Sequence, residues 1–152
     1  MKGSSPVPTI TDVLKNISDD KALTIFNSIA VSRGDRNICL REMNLSTKQY
    51  YSRLSGLINA GLIRRDNGKY SLTLIGKIVY DAQLKIGKAL SYYWKLKAIE
   101  SIERSSSLLG AGLPKEELTQ LISALIDNHS IKDLLIKELL SYTLEAPSTT
   151  ST

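Results

Sequence analysis

The stretch at residues 45–73, LSTKQYYSRLSGLINAGLIRRDNGKYSLT, decides how this chain is read. Ser46 with Gln49 three residues on forms a capping box, which fixes the start of a helix. Tyr50, Leu54, Leu57, Ile58 and Gly61 then fall on one side of a wheel turning 100° per residue, so that side faces a core. Lys48, Ser52, Ser55 and Asn59 lie opposite, with Gln49, Tyr51 and Arg53 on the flanks. Gly61 predicts the helix stop and Leu62-Ile63 the start of a strand. Asn67-Gly68 predicts a hairpin with a two-residue type I′ turn. Such a turn pairs Asp66 with Lys69, Arg65 with Tyr70, Arg64 with Ser71 and Ile63 with Leu72. Ile63 and Leu72 share the inner face near the base, while Arg64, Arg65 and Lys69 crowd the tip. Thr73 is placed to cap the helix that follows.

Upstream, residues 1–9 carry two prolines, a glycine and two serines and are expected to form a flexible arm. Ile10, Val13, Leu14 and Ile17 predict a short apolar turn that packs down. Ser18, followed by Asp19 and Asp20, predicts a capped helix reaching about residue 31 and burying Ala22, Ile25, Phe26 and Ile29. SRGDRN at residues 32–37 reads as a polar loop. ICLREMN at 38–44 reads as a short helix with Leu40 and Met43 inward. With the capped helix after it, this gives the order of a helix-turn-helix.

Downstream, residues 74–104 read as one long helix, free of proline. Ile75, Val79, Ala82, Ile86, Ala89, Tyr93 and Leu96 alternate spacings of four and three, a heptad-like seam. The seam is either core beneath the C-terminal helices or an interface with a second copy of the chain. The second is expected, because so small a domain leaves so long a helix uncovered. Residues 105–146 form a C-terminal helical extension, broken at SSSLLGAG. It restarts at Pro114 with Leu118, Leu121, Ile122 and Leu125 on one face, and again at Ser130 and Asp133 with Leu134, Leu135, Leu139 and Leu140. Residues 147–152 are expected to be disordered, and the module bounded by arm and long helix is 10–73.

Composition narrows the class. Of 152 residues 42% are hydrophobic and 23% charged, as in soluble globular chains rather than disordered ones. The net charge of +5 is unevenly spread, with 11 Lys and Arg against 6 Asp and Glu in residues 1–74 but 3 against 6 after residue 104. A basic first half points to a polyanionic partner. One cysteine, Cys39, and one histidine, His129, leave no intramolecular disulfide, Cys/His metal cage or His-based triad. No phosphate-binding glycine loop or nucleophile motif is found, so neither an enzyme nor a cofactor or metal site is expected. The start of the chain lacks a signal-peptide core and no 18-residue apolar run exists, which predicts a cytoplasmic protein without a membrane span.

The LSTKQYYSRLSGLINAGLI run, the RRDNGKY hairpin and LTLIG opening the next helix resemble the winged helix-turn-helix of archaeal and bacterial transcriptional regulators, of the broad MarR/ArsR-like kind. The resemblance covers about residues 18–104. It implies a mainly α fold with a small β-hairpin wing, then a long dimerisation helix and C-terminal helices. It also implies a sequence-specific, dimeric regulator of transcription that binds double-stranded DNA. The helix from Ser46 would enter the major groove, with Lys48 and Ser52 against bases or phosphates and Gln49, Tyr51 and Arg53 beside them. Gln49 has a rival claim in its own capping box, and Tyr51 in covering the helix edge. Arg64, Arg65 and Lys69 would hold phosphate or the minor groove, setting register rather than sequence preference. The other reading from these residues is a winged-helix protein-interaction module in a transcription-related assembly. Tyr92-Tyr93-Trp94 are either helix packing or the lining of a small-molecule pocket, and no effector is specified.

Overall fold

A computed structural model describes residues 6–32, 43–110 and 112–141. The chain is mainly helical with one small antiparallel hairpin, and it divides into two compact units, residues 1–85 and 86–152. Of the expected loop at 32–37, Ser32 belongs to the helix before it and the rest lies outside the described residues, as do most of the short helix at 38–44 with Leu40 and Cys39, the outermost part of the arm and the tail at 147–152.

In the first unit, α1 (Ile10–Ile17) starts on a capping box that the sequence reading missed. The Asp12 amide donates to Thr9 Oγ1 at 3.2 Å, and the Thr9 amide donates to Asp12 Oδ2 at 2.8 Å. That backbone bond is the main reason the Asp12 carboxyl sits below its ordinary pKa. Only Val13 and Ile17 of the expected apolar set pack down; Ile10 and Leu14 stay exposed. Ser18 does not cap the next helix. It closes α1, its hydroxyl donating to the Lys15 carbonyl at 2.9 Å. Asp19 caps α2 (Asp20–Ser32) instead, accepting from the Ala22 amide at 3.3 Å. A carboxylate is the stronger acceptor at the positive end of a helix.

Helix α2 buries Ala22, Ile25, Phe26 and Ile29, the face read from its spacing. Against it lies α3 (Thr47–Asn59), which buries Tyr50, Leu54 and Leu57. Ile58, expected inward, is 40% exposed. It lies at the edge of the apolar arc and lines a cleft with Pro6, Val7 and Pro8 rather than the core. Gly61 takes φ +72° past the end of α3, the left-handed stop its position predicted.

Strands β1 (Ile63–Asp66) and β2 (Lys69–Leu72) pair in the predicted register, Ile63 with Leu72 through Asp66 with Lys69. Asn67 and Gly68 both have positive φ, as a type I′ turn requires. Ile63 and Tyr70 are buried, and the unit's core runs from Ile25 and Phe26 through Leu54 and Leu57 to Leu62 and these two.

Thr73 closes the base of the hairpin. Its hydroxyl donates to the Gly61 and Leu62 carbonyls, its amide bonds the Leu62 carbonyl at 3.0 Å, and its Oγ1 accepts from the Gly76 amide at 2.9 Å. It therefore joins the end of α3, the hairpin and the start of α4 (Leu74–Ser91).

The expected single helix over 74–104 is two helices. It breaks at Tyr92, which has φ −98° and ψ 10° and whose amide bonds the Ala89 carbonyl at 3.0 Å, three residues back. This tighter turn ends α4, and the Tyr92 side chain is buried in the core of the second unit. Helix α5 (Tyr93–Leu108) follows, then α6 (Lys115–Leu125) and α7 (His129–Ser141). Tyr92, Ile99, Leu118, Ile122 and Ile126 form this second core, with Leu121, Leu125, Leu135 and Leu139 packed around it. Helix α7 starts one residue before the expected Ser130, because Asn128 Oδ1 accepts from the Ile131 amide at 3.1 Å. Leu134, expected inward, is exposed. The boundary between the two units falls inside α4, after Lys85. Among the described residues no helix is long and apolar enough to cross a membrane.

Candidate nucleic-acid interface

Capping decides how α3 presents its polar side. The Gln49 amide donates to Ser46 Oγ at 3.2 Å, and the Ser46 amide donates to Gln49 Oε1 at 3.2 Å. The Gln49 side chain is therefore turned back onto its own N-terminus. Lys48, one residue earlier, is exposed on the first turn, and Ser52 is exposed one turn further on. Tyr51 is at the margin of exposure, edge-to-face against Tyr50 with ring centroids 5.5 Å apart.

Arg53 is engaged within the chain. Its Nε donates to Asp19 Oδ2 and a terminal nitrogen donates to the Gln49 carbonyl at 3.2 Å, so it ties α3 to the start of α2. The Arg53 guanidinium, aided by the Ala22 amide, holds the Asp19 carboxyl below its ordinary value of 3.8. A depressed folded pKa contributes stability above the unfolded value and loses it as pH falls through the folded one. The difference in urea midpoint between the native chain and Asp19→Asn is therefore expected to hold from about pH 7 to about pH 4 and to vanish below, as the native carboxyl takes up its proton. A difference independent of pH would contradict the pairing.

The hairpin arranges its cations differently from one another. Arg64 Nε lies 2.9 Å from Asp66 Oδ2 and 3.4 Å from Ser71 Oγ, with both charged side chains exposed. Arg65 shares the face of Ile63, with its guanidinium carbon 5.8 Å from the centre of the Tyr70 ring. Lys69 is exposed across the turn. The first unit thus presents Lys48 and Ser52 on α3 and Arg64, Arg65 and Lys69 on the hairpin as exposed side chains. Gln49 and Arg53 are occupied in holding α3 in place.

Sequence reading missed Lys15. It lines a polar cleft with Asn16, Asp19, Ser52 and Arg53, adding a cation next to Ser52. Only the packing of α1 on α3, where Gly56 lies against the Asn16 side chain, brings it there, and no periodicity in the sequence reports that contact.

The seam residues separate into two groups. On α4, Ile75 is 54% and Ile86 60% exposed, Ala82 is exposed, and Val79 is half-buried against the first core. Ile78 and Leu90, outside the heptad reading, are also exposed, and all lie within one side of α4 at 100° per residue. Ala89 is half-buried near the end of α4. Beyond the break, Tyr93 is half-exposed and Leu96 is covered by the second core. The seam is therefore not continuous through Tyr92. His129 is exposed beside Asp133 at 3.4 Å. Among the described residues no three His, Cys, Asp or Glu side chains come together as metal ligands.

No family model, curated protein or solved structure matches this chain.

Proposed function

We propose that the chain is a dimeric winged helix-turn-helix protein that binds double-stranded DNA and regulates transcription by occupying a promoter site, in the manner of MarR/ArsR-like regulators. One observation carries the reading: a helix held by its cap and by Arg53–Asp19 leaves Lys48 and Ser52 exposed, and the hairpin that follows it in the chain bears three exposed cations. A rigid α-helix of this width suits the major groove, and a basic hairpin suits the flanking phosphates. Lys48 and Ser52 then approach base edges or phosphates, while Arg64, Arg65 and Lys69 set the register. Gln49 contributes mainly by fixing the start of the helix and Arg53 by its orientation.

The test is a gel shift against random duplex DNA at low salt, followed by the Lys48→Ala variant. Binding by the native chain, weakened about tenfold or more by removing one charged contact, is expected. No shift at any protein concentration would overturn the reading.

The apolar side of α4 supports the dimer. Ile75, Ile78, Ala82, Ile86 and Leu90 leave a stripe open along about four turns, which a second copy related by a two-fold axis covers with the same stripe. A two-fold dimer also suits two half-sites about one helical turn apart. Light scattering of the native chain at micromolar concentration is expected to give twice the monomer mass, and Ile75→Glu with Ile86→Glu to give the monomer. A native monomer would contradict the dimer.

Trp94, 80% exposed next to Tyr93, favours a second reading in which the chain is a protein-interaction module of a transcription-related assembly. Failure to bind any duplex would favour it.

A further inference from the structure

We propose that Asn67, in the turn of the hairpin, is a site of spontaneous deamidation, which converts it to aspartate and isoaspartate and weakens the hold of the hairpin on DNA. The loss of DNA affinity rests on the function proposed above; the conversion itself does not.

The reaction needs a backbone amide nitrogen that can reach the side-chain carbonyl of the asparagine before it. A side chain on the following residue hinders that approach, and glycine has none. Asn67 is the one asparagine of the chain followed by glycine. Gly68 has φ +77°, and nothing lies within 4 Å of the Cβ it lacks, so the space around the turn is open. Both residues are exposed and stand beyond the last pair of the hairpin, Asp66 with Lys69. Among the described residues none holds the Asn67 side chain by a hydrogen bond. Ring closure requires the peptide between Asn67 and Gly68 to rotate out of the turn, and only the tip has to open for that.

The other described asparagines each lack one of these conditions. Asn16 and Asn27 lie inside helices with their side chains engaged, by the Asp12 carbonyl at 2.7 Å and by Gln83 at 2.8 Å. Asn59 precedes Ala60, whose amide donates to the Gly56 carbonyl at 2.9 Å. Asn128 Oδ1 is taken by the Ile131 amide. Asn44 shares the positive φ of Asn67 but precedes Leu45.

The chemistry balances with water alone. Hydroxide removes the Gly68 amide proton, and the nitrogen attacks Asn67 Cγ. The bond from Cγ to Nδ2 breaks, Nδ2 leaves as ammonia, and a succinimide ring remains. Water then opens the ring at one of its two carbonyls. Breaking the new bond between Cγ and the Gly68 nitrogen gives aspartate. Breaking the bond between that nitrogen and the main-chain carbonyl carbon gives isoaspartate. Arg64 and Arg65 on β1 and Lys69 on β2 flank the turn, against one carboxylate, Asp66, and their field favours the amide anion that attacks.

Either product changes the tip. Residues 64–69 carry three cations and one carboxylate, a net charge of +2 that falls to +1. Isoaspartate also adds a carbon to the backbone of a two-residue turn, whose length sets the register of the strands.

The test incubates the full chain at about pH 7 and about pH 9 and follows the peptide containing residues 66–69 by mass spectrometry, with isoaspartyl methyltransferase labelling. The expected result is a mass gain at Asn67 from exchange of NH2 for OH, rising about tenfold in rate per pH unit because one proton is removed before attack. Asn67→Gly, whose Gly-Gly turn also suits the hairpin, is expected to gain no isoaspartate label there. No mass gain at Asn67, or conversion of Asn27 or Asn59 at an equal rate, would overturn the site. Asn67→Asp then isolates the added charge, since Asp-Gly suits the same turn. It is expected to bind duplex DNA roughly fivefold more weakly than the fresh native chain at about 50 mM salt, the effect of about one exposed charge near a phosphate. Unchanged duplex affinity of Asn67→Asp would overturn the effect on DNA binding. Conversion at Asn67 in a chain that binds no duplex at all would overturn the DNA reading and leave the modification standing.

Discussion

Replacing Gly76 by alanine is expected to destabilise the first unit by roughly 3 kcal/mol, an unusually large effect for one added methyl. A Cβ at this position would stand 1.9 Å from the Leu62 carbonyl oxygen and 2.9 Å from its carbon, well inside contact distance. The obstacle is backbone, and it cannot rotate away. The Leu62 carbonyl already accepts from the Thr73 amide and hydroxyl, so shifting it would break the junction that holds α3, the hairpin and α4 together. Gly87 in the same helix has nothing within 4 Å of its ideal Cβ. Gly87→Ala is therefore expected to stabilise the chain by about 0.5–1 kcal/mol, because glycine in a helix interior carries an entropic cost that alanine does not. Opposite signs for these two substitutions in urea unfolding followed by circular dichroism would show that the close approach at Leu62 matters, rather than helix propensity. A mild effect of Gly76→Ala would contradict it.

The parts of the fold legible in the sequence are those set by local chemistry. Asn67-Gly68 requires positive φ at two successive positions, which leaves one turn type and so one register for the hairpin. Ser46 and Gln49 satisfy each other's orphan amides, so the start of α3 could be placed to the residue. The i, i+3, i+4, i+7 pattern of Ala22, Ile25, Phe26 and Ile29 gave the buried face of α2 directly.

What the sequence withheld depends on contacts between elements. Seven residues of seam spacing passed straight through Tyr92, and nothing in that spacing reports that Tyr92 leaves the helix to enter a core built from α6 and α7. Ser18 and Asp19 are both good caps, and the choice between them followed from the needs of α1, whose last turn claims Ser18. The candidate interface shows the same division. The exposure of Lys48 followed from the helical wheel, whereas the engagement of Arg53 with Asp19, 34 residues away, did not. Lys15 entered the neighbourhood of Ser52 only through the docking of α1.

The second large effect concerns the hairpin cations. Replacing Arg64, Arg65 and Lys69 together by glutamine is expected to lower affinity for duplex DNA by roughly 10³-fold at about 50 mM salt, since each phosphate contact releases close to one condensed counterion. The loss should be nearly the same for every DNA sequence, because phosphate contacts position the protein without reading bases. Lys48→Ala should differ in kind, with a smaller loss that varies with the duplex if Lys48 meets a base edge. The triple variant is expected to stay folded, since Ile63 and Leu72 hold the base of the hairpin and all three cations are exposed. A variant that binds as tightly as the native chain would make the hairpin a solvated tip.

The salt dependence of duplex binding, measured side by side for the native chain and the triple variant, tests the central claim most directly. The logarithm of the association constant is expected to fall linearly with the logarithm of salt concentration, and the slope of the variant to be shallower by about 2.7, close to 0.9 for each cation removed. Absence of binding at about 50 mM salt, or slopes that coincide in the two proteins, would contradict a DNA interface built from α3 and the hairpin.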